Sequence, residues 1–207
     1  MDLTPELFNP GYAERGPFYT PGKHPVTQWI YDLNKILIST QSKAFGQIIP
    51  TEEAFSQAHT MIREIKNQDG SIWWVGNGGS CSLCSHFSQD LANKQKIKSL
   101  AFTDASLLTC QANDFGYENA YARMIEMFAR SGDMLIAISS SGESKNILKS
   151  IEAANKKSIA TITLSAFEND NKLFRLKTDL AFYVPSRSYG LVETAHSALL
   201  HGVIDTI

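Results

Sequence analysis

Four side chains carry the chemistry open to this chain. His86 and Asp90 stand four apart in "GNGGSCSLCSHFSQDLANKQ", and Glu193 and His201 stand eight apart in "LVETAHSALLH". A spacing of four puts two residues on one helix face. A spacing of eight is a little over two turns, so Glu193 and His201 project from neighbouring faces, while His196 lies about 140° round from His201 at ~100° per residue. Only one of the two late histidines is expected to face a site with Glu193. His86, Asp90, Glu193 and His201 together make an oxygen and nitrogen set suited to zinc or another divalent ion.

The glycine turn before His86 admits other readings. A dinucleotide loop needs G-x-G-x-x-G, but Cys81 occupies the third glycine place and Asp104, the candidate ribose-binding acid, comes late. Haem attachment needs C-x-x-C-H, and Ser85 separates Cys84 from His86, so that reading fails. Cys81 and Cys84 form a C-x-x-C at a helix start, where thiols can be redox-active, but small buried thiols are the commoner use of such residues.

A second loop, "ISSSGES" from Ile138 to Ser144, ends an apolar run and opens a helix whose apolar face is Ile147, Leu148 and Ile151. It has the makings of a phosphate cup. Ser139, Ser140, Ser141 and Ser144 offer hydroxyl donors, Gly142 lets backbone approach, and the helix N-terminus adds free N–H groups. The plainer alternative is a serine-rich turn with Ser144 as N-cap. No Gly-Lys-Ser/Thr follows, so a phosphate monoester suits the loop better than a triphosphate.

Positioning these groups requires a strand-and-helix alternation, and the sequence has one. The short apolar runs "SIWWVG", "KSLAFT", "MLIAIS", "IATITL" and "LAFYV" are separated by helical stretches. This predicts an α/β fold: a five-stranded parallel sheet with helices on both faces, preceded by two long N-terminal helices. The first of these runs from Val26 toward Gln47 on an apolar stripe of Val26, Trp29, Ile30, Leu33 and Leu37, which is expected to bury itself in an intersubunit bundle. The second opens at Thr51, as N-cap, with Glu52 and Glu53 in its first turn. Ligands of such sheets sit at the carboxyl ends of the strands, here after Val75, Thr103, Ile138 and Val184.

Five of the seven prolines lie in residues 1–25, so this segment is read as an N-terminal arm, either packed on a neighbouring subunit or a loose tail, and 26–207 as the domain. At 207 residues with 43% hydrophobic and 19% charged side chains, the composition is that of one ordinary globular domain. A formal net charge of -2 leaves no broad basic surface for nucleic acid. No apolar run approaches the ~18 residues of a membrane span, no signal peptide is visible, and the odd count of three cysteines suits a reducing compartment, so a cytoplasmic protein is expected.

Taken in order, "GNGGS" with a histidine six residues after its serine, "ANDFGYENAYARMIE", "GDMLIAISSSGESKNIL" and the late helix with acid and histidine eight apart are specific. The combination resembles the sugar isomerase (SIS) domain family, and within it the phosphoheptose isomerases, over roughly residues 26–207. The resemblance implies a flavodoxin-like fold, a homotetramer with active sites at subunit interfaces, and zinc or another divalent metal near the sugar. It places phosphate contacts on Ser139, Ser140, Ser141 and Ser144, with threonine common at the position of Ser140. Sugar contacts fall on Asn77, Gly78, Gly79, Asn113, Asp114 and Glu193, metal ligands on His86, Asp90, Glu193 and His201, and the acid–base pair on Asp90 and His201. Three positions depart from the family pattern: Asp90 replaces a glutamate, Glu193 a glutamine, and Gly190 an aspartate, in a loop, "PSRSYGLV", that is one residue short.

The activity implied is aldose–ketose isomerisation of a phosphorylated sugar through an enediol, with sedoheptulose 7-phosphate and D-glycero-D-manno-heptose 7-phosphate as the pair. The rival expectation is a non-catalytic SIS module that senses a sugar phosphate or binds a protein partner. Relatives of that kind are expected to lose the metal histidines, and this chain keeps His86 and His201.

Overall fold

The computed structural model describes residues 26–207. The expectations for the proline-rich arm, residues 1–25, lie outside the described residues. The chain runs α1 (Val26–Ile38), β1 (Gln41–Ala44), β2 (Gln47–Ile49), α2 (Thr51–Asn67), β3 (Ser71–Gly76), α3 (Gly79–Gln95), β4 (Lys98–Ala101), α4 (Ala105–Phe115), a 3-10 turn (Tyr117–Asn119), α5 (Ala120–Phe128), β5 (Met134–Ser139), α6 (Lys145–Lys156), β6 (Ala160–Ala166), α7 (Lys172–Arg175), β7 (Leu180–Val184) and α8 (Tyr189–Asp205).

The five expected strands form a parallel set in the order β7-β6-β5-β3-β4. The sheet nevertheless has seven strands, because β1 and β2 add an antiparallel hairpin to the free edge of β7. This corrects the expectation of a first helix reaching Gln47. Phe45 and Gly46 both adopt positive φ, 50° and 84°, the conformation a two-residue hairpin turn demands, and it reverses the chain where a helix would have continued. Thr51 is likewise the first helical residue and not the cap; Pro50 holds the cap position and the Thr51 hydroxyl donates to the Thr40 carbonyl at 3.2 Å.

Alternation along the central strands divides the core between two faces. Ile72, Trp74, Ile136 and Ile138 pack with α2, α3 and α8, whereas Trp73, Val75, Leu135 and Ala137 pack with α5 and α6. Helix α1 lies against α8 of its own chain through Leu33, Ile36 and Leu37, while Val26 and Ile30 of its stripe, and Ile38 beside it, remain exposed. Among the described residues no helix is long and apolar enough to cross a membrane.

The feature that positions the site is the pairing of α3 with α8. Both bury one side in the same core, through Cys84, Phe87 and Leu91 on α3 and Val192, Ala195, Leu199 and Val203 on α8. They run side by side in the same direction, touching at Gly79 and Glu193, at His86 and His201, and at Lys94 and Asp205.

Candidate active site

The middle contact holds the cluster. One ligand atom each from His86, Asp90 and His201 lie within 4.8 Å of one another. The His86 and Asp90 side chains meet because they are one turn apart on α3, with His86 Nε2 3.9 Å from Asp90 Oδ2. Phe87, fully buried, meets both imidazoles edge-on at ring-centroid distances of 4.8 Å and so sets the spacing between the helices at this level. The two histidine rings stand 5.5 Å apart.

Around the cluster lies a chain of charges. Asp90 is only 6% exposed, takes Lys94 Nζ on Oδ2 at 2.9 Å and accepts a hydrogen bond from Gln89 on Oδ1. Lys94 also reaches Asp205 Oδ1 at 2.9 Å, and Asp205 Oδ2 lies 3.4 Å from His201 Nδ1. A carboxylate beside one imidazole nitrogen orients the ring and leaves the other nitrogen for the cluster, the arrangement seen around metal-bound histidines. Two imidazoles and a carboxylate, with both histidine side chains about half exposed, leave a fourth direction open. That donor set fits a divalent ion such as zinc in a catalytic setting.

Glu193 is not in this cluster. It lies about 12 Å along the α8 axis from His201, at 1.5 Å per residue. Its carboxylate occupies the space a side chain at position 79 would enter, so any larger residue there would have to displace the Glu193 carboxylate. His196 turns the other way, as its angle on the helix predicts. It is fully buried and its Nε2 lies 3.2 Å from the Ser165 carbonyl of β6. Burial pushes its pKa down to about 4, against a smaller opposite effect of the Ser165 contact, so the ring is neutral near pH 7.

The two cysteines give no support to a redox motif. Cys84 is buried and its thiol is pushed well above the usual range by desolvation, then by neighbouring Cys81. Cys81 is raised too, again by burial.

The serine loop forms at the carboxyl end of β5. Its backbone is held by Ala166 N donating to the Ser140 carbonyl and by Leu173 N donating to that of Gly142, both at 3.0 Å. Ser139 and Ser140 are buried, the Ser139 hydroxyl donates to Ser144 Oγ at 3.3 Å, and the Glu143 amide donates to Ser141 Oγ at 3.2 Å. Ser144 precedes α6 without a side-chain cap bond, which leaves its hydroxyl for other partners at the helix N-terminus. Gly142 has φ 66°, and Asn171 fills the space beside it. Glu143 pairs with Lys172 at 2.6 Å, and that hydrogen bond holds the Glu143 carboxyl below the usual range.

Asn77, with Gly78 and Gly79, forms the turn between β3 and α3, and Gly78 has φ 55°. Its side chain bonds two residues that the sequence reading did not single out, Asn146 on α6 and Tyr117 of the 3-10 turn. The signal for Asn146 was present: it lies on the buried face of α6 with Ile147, Ser150 and Ile151, an unusual place for an amide. Asn113 and Asp114 stand exposed at the end of α4, and Asn113 donates to Asp114 at 2.8 Å.

Residues 42–166 match the family model described as SIS domain. A phosphoheptose isomerase of Helicobacter pylori is 36% identical over 163 residues, covering 75% of this chain and 83% of that protein.

The chain belongs to the SIS domain family.

The solved structure of phosphoheptose isomerase GmhA from Neisseria gonorrhoeae superposes on this SIS chain with a TM-score of 0.72 at 27% identity, covering 87% of this chain and 91% of that one. The sugar isomerase domain of an RpiR transcription factor from Sphaerobacter thermophilus shares the SIS fold, with a TM-score of 0.59 at 18% identity, covering 88% of this chain and 86% of that one. Fold alone therefore does not separate SIS enzymes from SIS regulators, and the site has to.

Proposed function

We propose that this chain is an aldose–ketose isomerase of phosphorylated sugars, working in the cytoplasm on sedoheptulose 7-phosphate to give D-glycero-D-manno-heptose 7-phosphate. The observation that carries the reading is the convergence of His86, Asp90 and His201 between α3 and α8, a constellation that sensing a sugar phosphate does not require.

In this reading the serine loop takes the phosphate. Ser139, Ser140, Ser141 and Ser144 donate hydroxyls, and the first amides of α6 add the positive end of a helix dipole. The glycine turn lets the sugar come close to backbone at Gly78 and Gly79, with Glu193 facing it from the start of α8. Asn77 has one amide hydrogen left to give, since it donates the other to Asn146 Oδ1 while its oxygen accepts from both Asn146 and Tyr117.

The chemistry moves one proton from C1 to C2 and a second from O1 to O2, by way of the enediol. Asp90 and His201 form the pair that removes the first from C1 of the ketose and returns it at C2 of the enediol, each needing hydrogen-bond reach of the carbon it serves. Asp205 steadies His201 for that task. A divalent ion held by His86 and its neighbours would polarise the substrate's carbonyl and hydroxyl oxygens; a residue that ligates the ion tightly does not also shuttle the proton, so Asp90 and His201 divide the two tasks between them. Asn113 and Asp114 are proposed to meet the sugar in a homotetramer whose sites form at subunit interfaces.

The test is incubation of purified protein with sedoheptulose 7-phosphate, following aldose formation with and without a chelator. Turnover abolished by the chelator and restored by zinc is expected. Binding of the sugar phosphate without turnover would make the chain a sensing module and overturn the enzyme reading.

A further inference from the structure

Asp90 is one of the few charged side chains buried in this fold, and a carboxylate that deep needs an opposite charge beside it. Lys94, one turn further along α3, supplies that charge at 2.9 Å from Oδ2. The same oxygen faces His86 Nε2 at 3.9 Å. Asp90 Oδ2 thus has two claimants, the Lys94 ammonium on one side and whatever cation sits between His86 and His201 on the other. Gln89 engages Oδ1, so the metal and the ammonium meet chiefly at Oδ2.

We propose that Lys94 is a tethered counter-ion that competes with the divalent metal for Asp90. It satisfies the pocket when metal is absent, and shifts toward Asp205 when metal enters. The proposal rests on reading His86, Asp90 and His201 as the metal site. Three observations support it. An ion bound to Asp90 Oδ2 would lie at most roughly 5 Å from the ammonium, the sum of a ~2.1 Å metal–oxygen bond and the 2.9 Å contact. A dication and an ammonium repel strongly at that range. Asp205 offers a second seat, since its Oδ1 already lies 2.9 Å from Lys94 Nζ, so the ammonium can let go of Asp90 without losing every partner. Finally, the Lys94 side chain is half exposed on a flexible four-carbon stem, so its movement disturbs no packed element.

The consequence is a metal site whose affinity is set lower than its ligands alone would give, and a metal-free fold that is not left with an unpaired buried carboxylate. The measurement is competition between the full chain and a chromophoric chelator for zinc chloride, made on the wild type, Lys94→Met and Lys98→Met. Lys98 pairs with Asp69 at the start of β4, so its substitution removes the same charge outside the cluster. Lys94→Met is expected to bind zinc about tenfold more tightly or better, the scale on which neighbours of metal ligands act, while Lys98→Met matches the wild type. In excess chelator Lys94→Met should melt several degrees below the wild type, with zinc closing the gap. If Lys94→Met cannot be prepared free of metal, Lys94→Gln is measured in its place. A zinc affinity of the variant within twofold of the wild type overturns the proposal whatever the melting temperatures. Failure of both proteins to bind zinc at all would overturn the metal reading itself and the proposal with it, and so is distinguishable from the first result.

Discussion

The side-chain amides of Asn77 and Asn146 donate to each other, Nδ2 to Oδ1, at 2.9 and 2.8 Å. They join the glycine turn after β3 to the first turn of α6, so the sugar end and the phosphate end of the proposed site form one unit. Tyr117 closes the arrangement by donating to Asn77 Oδ1 at 2.8 Å.

Asn146→Ala breaks that joint while leaving the serines in place. Asn146 is 3% exposed, so the loss of its bonds should destabilise the fold by about 1–3 kcal/mol. The Michaelis constant for the sugar phosphate should rise as the two loops lose their shared register. Urea unfolding and steady-state kinetics on the same preparation check both parts.

Ser141→Ala should raise the Michaelis constant and leave folding intact, because the hydroxyl accepts only a local bond from the Glu143 amide. Gly142→Ala in the same loop should behave differently. Its φ of 66° and the Asn171 side chain beside it leave no room for a methyl group. Asn171 also accepts from Phe174 N at 2.9 Å as the cap of α7. A loss of about 1–3 kcal/mol is expected from strain and displacement together. If Ser141→Ala left affinity for the sugar phosphate unchanged, the phosphate cup would be the wrong reading of this loop.

Asp90→Asn tests the proton pathway without changing the size of the side chain. Turnover on sedoheptulose 7-phosphate should fall by roughly a hundredfold or more if Asp90 transfers a proton. Full turnover by Asp90→Ala would move the acid–base role to Glu193. His196 is no longer an alternative, since it is sealed against Ser165 on the far side of α8.

His196 makes stability depend on pH in a defined window. Its folded pKa, about 4, lies below the ordinary 6.5. As pH falls through 6.5 the unfolded chain takes up a proton that the folded chain refuses. Stability therefore drops between pH 6.5 and 4, by about 3 kcal/mol from this residue, and is flat above it. Denaturant unfolding at pH 7 and 5 should show the drop in the wild type, and His196→Gln should lose that part of the slope.

The five parallel strands, the helix-opening serine loop and the His86–Asp90 pair were all legible in the sequence. Each is written in local spacing: buried strands as unbroken apolar runs, a helix face as a period of four. The same arithmetic placed His196 and His201 on different sides of α8, and the fold agrees. The β1–β2 hairpin was missed because Phe45–Gly46 lacks the Asn-Gly signature and its strands are four and three residues long.

What faces what across two helices was decided only by tertiary structure. The sequence grouped Glu193 with His86, Asp90 and His201, but α3 and α8 run in the same direction, so the start of one helix meets the start of the other. Glu193, two turns before His201 on the same helix, therefore lands on Gly79. Lys94, already paired with Asp90 one turn back on α3, meets Asp205 across 111 residues of chain, and only the fold supplies that second partner. Periodicity states which side of a helix is buried; the element on the other side depends on how the sheet brings distant helices together, and no spacing along the chain records that.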